Sequence, residues 1–80
     1  MDDAQLVRHI GKLADEEHEL ELAHAGGGLS EAEQARLREL EVALDQCWDL
    51  LRQRRGRRHA GRNPDEAETR PPSVVEGYQQ

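Results

Sequence analysis

The chain has 80 residues, of which 35% are charged, 35% are apolar and none is phenylalanine. This composition suits one small domain of amphipathic helices, and it leaves too little apolar surface for a large enclosed pocket. We therefore expect no enzyme active site, no cofactor and no small-molecule substrate.

The formal net charge of −6 is unevenly distributed along the sequence. Residues 1–50 contain 4 basic and 13 acidic residues, residues 51–62 contain 6 arginines and no acid, and residues 63–80 contain 1 arginine and 4 acids. The protein is therefore acidic overall but carries one basic segment. Such asymmetry bears on the choice of partners rather than on the fold.

The first predicted helix covers about residues 3–25. Its apolar residues recur at steps of three and four, which is the period of a helix with one buried stripe. Three consecutive glycines at positions 26–28 are expected to end it and to form the turn. The stripe consists of Leu6, Ile10, Leu13 and Leu20, with Glu17 among them.

The second predicted helix covers about residues 31–58. Ser30 and Glu33 have the spacing of a capping box, in which each side chain bonds a backbone N–H of the other residue. No proline interrupts the segment, and its stripe consists of Leu37, Leu40, Leu44, Cys47 and Leu51.

The two stripes match each other when the helices run in opposite directions. A constant residue-number sum of 57 pairs every position of one stripe with a position of the other. The sequence therefore predicts an all-α fold, a coiled-coil-like antiparallel two-helix hairpin over residues 1–62. Pro64, Pro71 and Pro72 exclude a long helix from the C-terminal tail, residues 63–80, which we expect to be extended or partly ordered.

Several large apolar residues lie off the two stripes, and Trp48 is the largest of them. A twofold dimer of hairpins forming a four-helix bundle would cover them. Folding of the tail over Trp48 is the alternative. The interface candidates are Val42, Trp48, Leu50 and Tyr78.

The arginines near the end of the second helix are candidates for binding a partner or phosphates. We expect them first to pair with acids, either of a partner chain or of the tail at Asp65, Glu66 and Glu68. Binding of nucleic acid is the alternative, and the acidic body opposes it. The candidates are Arg52, Arg54, Arg55, Arg57, Arg58 and Arg62.

A metal site is the third hypothesis. Glu17, Glu21 and His24 share one helix face, and Glu21 with His24 has the Glu-x-x-His spacing of di-iron helical bundles. The second helix offers leucines, not acids, at the matching layers. A solvated acidic face is the simpler interpretation, because this spacing alone is of low specificity.

The N-terminus is acidic and lacks the apolar core of a signal peptide, and no segment approaches the roughly 20 apolar residues that span a bilayer. The single cysteine, Cys47, lies on an apolar stripe and has no disulfide partner in the chain. These features predict a cytoplasmic protein without membrane contact.

Three blocks carry a resemblance to a known family: residues 15–20 (DEEHEL), residues 36–55, and the tail motifs NPDEA, RP and VEGY. With these blocks the chain resembles a family of small actinobacterial proteins of unknown function, domain of unknown function 2630. The resemblance implies no activity, cofactor or catalytic residue, but it implies that the tail belongs to the module. The function expected from the residues is that of a protein–protein interaction module, with a homodimer or another protein as its partner.

Overall fold

The computed structural model of the chain describes residues 1–75, so the interface candidate Tyr78 lies outside the described residues. Helix α1 covers Asp3–Gly27 and helix α2 covers Glu31–His59. A 3-10 turn follows at Pro64–Glu66, and a short helix, α3, covers Pro72–Val75. The predicted all-α hairpin with a partly ordered tail is confirmed.

Both long helices begin with a capping box. The backbone N–H of Gln5 donates to Asp2 Oδ1 at 2.7 Å and that of Asp2 donates to Gln5 Oε1 at 2.9 Å. Ser30 and Glu33 make the corresponding pair of bonds at 3.0 and 3.1 Å. These bonds satisfy N–H groups that the first helical turn leaves without a backbone partner.

Helix α1 continues through the first two glycines of the turn and ends at the third. Gly28 has a φ of 88°, and its N–H donates to the carbonyl of His24 at 3.0 Å. Of the three turn glycines, only Gly28 takes the positive φ that side chains disfavour, and Gly27 remains helical. The first helix is therefore two residues longer than the predicted 3–25.

The two helices are antiparallel, because residues early in α1 meet residues late in α2. Asp3 pairs with Arg54, and Glu16 pairs with Arg36. A cluster of buried apolar side chains lies near the open end of the hairpin. It comprises Leu6, Ile10 and Leu51, with Leu44, Cys47 and Leu50 packed against them. This cluster contains both members of the predicted pairs Leu6–Leu51 and Ile10–Cys47.

The tail reverses direction after α2 and runs back along it. Asn63 begins the 3-10 turn by accepting a hydrogen bond from the N–H of Asp65 at 3.0 Å. Further along, Val75 of α3 is buried to 1% exposure, and α3 packs against α2. Residues 63–75 of the tail leave Trp48 46% exposed. Within residues 1–75, one side of α2 is therefore occupied by the tail, and the side that carries Trp48 is open.

Candidate functional site

The arginine-rich end of α2 is largely engaged in ion pairs within the chain. Arg54 is only 5% exposed, and its Nε donates to Asp3 Oδ1. Its Nη1 donates to Asp65 Oδ1 at 3.0 Å and to the carbonyl of Pro64 at 3.2 Å. One guanidinium thus joins the start of α1, the end of α2 and the beginning of the tail.

Two further arginines add to this cluster. Arg58 Nη2 donates to Asp3 Oδ2 at 2.6 Å, and Arg57 Nη1 lies 3.7 Å from Glu66 Oε2. Hydrogen bonds from Arg54 and then Arg58 hold the pKa of the Asp3 carboxyl below its ordinary value. Arg54, Arg57 and Arg58 therefore each bind a carboxylate of their own chain. The remaining candidates, Arg52, Arg55 and Arg62, have exposed side chains.

Sequence analysis missed the ion pair that joins α2 to the tail, Asp49 with Arg70. Asp49 is fully buried at 0% exposure, and both of its carboxylate oxygens accept hydrogen bonds from Arg70. The Nε bond is 2.9 Å long, and Gln53 Nε2 donates a third bond to Asp49 at 2.9 Å. These hydrogen bonds lower the pKa of the Asp49 carboxyl, and the bonding from Arg70 has the largest effect. Burial acts in the opposite direction and raises this pKa.

Two glutamines of α2 hold the main chain of the tail. Gln53 Nε2 donates to the carbonyl of Glu68 at 2.8 Å, and Gln46 Nε2 donates to the carbonyl of Arg70 at 3.2 Å. Gln46, Asp49 and Gln53 lie at steps of three and four, so they share one helix face. This spacing was the available signal for a docking face, and we define the three residues as the tail-binding face.

The lowered pKa of Asp49 gives the docked tail a pH dependence. The pKa of the Asp49 carboxyl is about 3.8 in the unfolded chain and lower in the folded protein. The charged carboxyl therefore stabilises the folded state at pH values above 3.8, and this stabilisation is lost as the pH falls through the folded-state pKa. We expect the tail to be docked at neutral pH and released in acid. The measurement is an acid titration of the backbone NMR resonances of residues 64–75. An Asp49→Asn variant, in which that carboxyl is absent, is expected to lose this transition; persistence of the same transition in the variant would contradict the assignment.

On the open side of the hairpin, a shallow cleft contains the half-exposed indole of Trp48. Its other lining residues are Leu44 and three acids, Glu17, Glu41 and Asp45. Burial first, and then the neighbouring charges of Glu21, Glu41 and Asp45, raise the pKa of Glu17. We call this feature the tryptophan cleft. It combines the apolar ring of Trp48 with three carboxylates, and its lining residues among residues 1–75 include no lysine or arginine.

The remaining interface candidates occupy different surroundings. Val42 lies with Ala35 and Ala43 along a separate open groove of α2. Leu50 packs against the core cluster and lines a separate cleft together with Thr69 of the tail, so it is partly covered. Trp48 is therefore the interface candidate most available to a partner among those within residues 1–75.

The structure does not assemble the three metal candidates into a site. Within residues 1–75, no group of three or more His, Cys, Asp or Glu side chains is placed to hold a metal ion. Glu17 lies in the tryptophan cleft, while Glu21 and His24 are exposed along α1. The shared helix face predicted for Glu17, Glu21 and His24 is consequently an acidic surface in this fold.

Comparison with known proteins identifies the family of the chain but assigns no activity to it. A family model described as "Protein of unknown function (DUF2630)" matches residues 2–80. The chain belongs to this family. DUF2630 relatives include uncharacterized proteins of Mycobacterium bovis and Mycobacterium tuberculosis, each 51% identical over 77 residues that cover 95% of this chain and 88% of the relative. No solved structure matches the chain significantly.

Across the described part of the chain, neither α1 nor α2 combines the length and apolar character that a bilayer-crossing helix requires. The match to DUF2630 confirms the resemblance found from the sequence blocks, which extend from α1 into the tail.

Proposed function

We propose that the protein is an interaction module that binds another protein chain through the tryptophan cleft. The observation that carries the proposal is the exposure of Trp48, the largest apolar side chain of the hairpin, on the side that residues 63–75 of the tail leave open. Tryptophan is strongly enriched among the residues that dominate binding energy at protein interfaces. Burying this ring against a partner removes a large apolar area from water.

The carboxylates around Trp48 favour a partner that brings positive charge. Glu17, Glu41 and Asp45 line the cleft together, and their mutual repulsion contributes to the raised pKa of Glu17. A cation placed beside them relieves that repulsion and can also lie over the indole face. The cleft is therefore suited to an apolar contact at its centre with basic side chains at its margin.

The nucleic-acid alternative has less support. Arg54, Arg57 and Arg58 are paired with Asp3, Asp65 and Glu66, so phosphate binding would compete with existing ion pairs. Nucleic-acid affinity grows with the number of cations that neutralise phosphates, and the acidic body acts against it. The arginine-rich end is proposed to have a structural role first, with its exposed arginines contributing to protein contacts.

We propose that the protein is non-catalytic and cytoplasmic. Burial raises the pKa of the Cys47 thiol, so this single cysteine is less reactive than an exposed one at neutral pH. It packs against the apolar core and so serves as a small core residue. A thiol kept reduced in this position suits a reducing compartment.

Site-specific crosslinking in cells that naturally produce the chain tests the proposal. Trp48 is replaced by p-benzoylphenylalanine, and Arg8, an exposed residue of α1, receives the same photo-reactive side chain as a control. We expect illumination to join position 48, but not position 8, to another protein chain that mass spectrometry can identify. If position 48 yields no adduct beyond the control, the proposed binding role of the cleft is wrong.

A further inference from the structure

We infer that the partner of the tryptophan cleft is a second copy of this chain, with the two α2 helices packed antiparallel across a twofold axis at Trp48. This inference rests on the proposed function and identifies the partner that the cleft binds. It follows from the order of charges along one face of α2.

The face of α2 that carries Trp48 also carries acids on one side of it and arginines on the other. Glu41 lies seven residues before Trp48, and Arg55 lies seven residues after it. Seven residues are close to two helical turns, so all three side chains share one face. Asp45 and Arg52 lie on the same face, three residues before and four residues after Trp48.

This order is self-complementary under a twofold axis. In an antiparallel pair of helices, residues with a constant number sum face each other, and an axis at Trp48 fixes that sum at 96. Glu41 of one copy then faces Arg55 of the other, and Asp45 lies next to Arg52. A twofold axis repeats each of these contacts, as an interface between identical surfaces requires. A parallel arrangement would instead place like charges opposite each other.

Glu41 and Arg55 cannot pair with each other within one chain. Glu41 and Arg55 are separated by 14 positions, or about 21 Å along a helix. Within residues 1–75, no ion pair joins Arg55 to another side chain, in contrast to its neighbours Arg54, Arg57 and Arg58. In the dimer, Arg55 of each copy lies beside Glu41 in the tryptophan cleft of the other copy. Each cleft therefore receives a cation, and each Arg55 receives a carboxylate.

Dimerisation also covers the apolar surface that the hairpin leaves in water. Trp48 of each copy meets its equivalent at the axis, where the partner excludes water from the indole. Two helices and a short tail form a small core, and burial of a further helix face is a common remedy in helical proteins of this size. The dimer therefore gains both apolar burial and ion pairing from one contact.

Charge reversal tests the inference on the full chain. We expect the unmodified protein to sediment as a dimer at high micromolar concentration. Glu41→Arg and Arg55→Glu are each expected to weaken the dimer by roughly a hundredfold, because each places like charges together at two symmetry-related contacts. Arg8→Glu makes the same change of charge as Arg55→Glu, but on α1 instead of this face, and is expected to leave the dimer intact. Circular dichroism shows whether each variant remains folded.

Mixing the two weakened variants makes the test specific. Equal amounts of the Glu41→Arg and Arg55→Glu proteins are expected to form a mixed dimer, since every facing pair then has opposite charges. The double variant is expected to recover self-association. A monomeric unmodified protein at high micromolar concentration, or a mixture that stays monomeric, would overturn the inference. If position 48 still crosslinks to a different protein in that case, the proposed interaction role stands and only the second copy is excluded.

Discussion

Replacing Arg70 with alanine is expected to release the tail from α2. The substitution removes the guanidinium that donates to both oxygens of the fully buried Asp49. Breaking a buried ion pair by removing one partner costs about 3–5 kcal/mol, because the remaining charge is buried without compensation. The hairpin can reduce that cost by letting the tail leave and water reach Asp49. The expected result is therefore a lower free energy of unfolding together with loss of amide-exchange protection in residues 64–75.

Two further variants complete this experiment. Arg62→Ala removes an exposed arginine outside the tail-binding face and is expected to change stability by less than about 0.5 kcal/mol. Replacing Asp49 and Arg70 together with leucine is expected to be much milder than Arg70→Ala, because no unpaired charge remains. If Arg70→Ala leaves exchange protection of the tail unchanged, the Asp49–Arg70 pair does not hold the tail.

Leu51→Ala is expected to be comparably severe and to act on the hairpin itself. Leu51 is 2% exposed and forms the central cluster with Leu6 and Ile10. Truncating a buried leucine costs about 2–5 kcal/mol through lost apolar burial and the cavity that remains. A small domain is stabilised by only about 5 kcal/mol, so urea unfolding should begin in little or no denaturant.

Leu22→Ala is the matched control for this prediction. Leu22 lies on α1 and is 60% exposed, so the same truncation should change the free energy of unfolding by less than about 0.5 kcal/mol. Equal effects of the two substitutions would contradict the assignment of Leu51 to the core.

The hairpin could be predicted because its information is local and periodic. Each apolar stripe repeats at helical spacing, Ser30 and Glu33 identify a helix start, and the glycines identify the turn. Matching of the two stripes then selects one antiparallel register, and that register places Leu6 with Leu51. Such patterns are visible in a sequence because many residues contribute the same signal.

Docking of the tail could not be predicted in the same way. It depends on single contacts between residues that are far apart in sequence, such as Asp49 with Arg70 and Gln53 with the carbonyl of Glu68. Polar residues at helical spacing on α2 have the pattern of a solvated face, and nothing local distinguishes a buried aspartate from an exposed one. Both Asp49 and Arg70 nevertheless lie in the blocks that carry the family resemblance.

The sequence predicted that the arginines near the end of α2 pair with acids, but it did not predict every partner. Pairing with tail acids was expected, and Arg54 with Asp65 and Arg57 with Glu66 provide it. The larger role of Asp3 was missed, because its proximity to Arg54 follows only from the antiparallel register of the complete hairpin. Asp3 and Arg54 have the same number sum of 57 as the apolar pairs, so the register extends from the core into the ion pairs.

Arg54 lies between Asp3, near the start of the chain, and Asp65, in the tail. Its guanidinium is held most firmly while both carboxylates are in place, so fraying of the first turn of α1 loosens the tail, and departure of the tail loosens that first turn. The first turn of α1 and the start of the tail at Asp65 therefore open and close as one cooperative unit. A peptide fused ahead of Met1 that disturbs this turn is therefore expected to loosen the tail at Asp65.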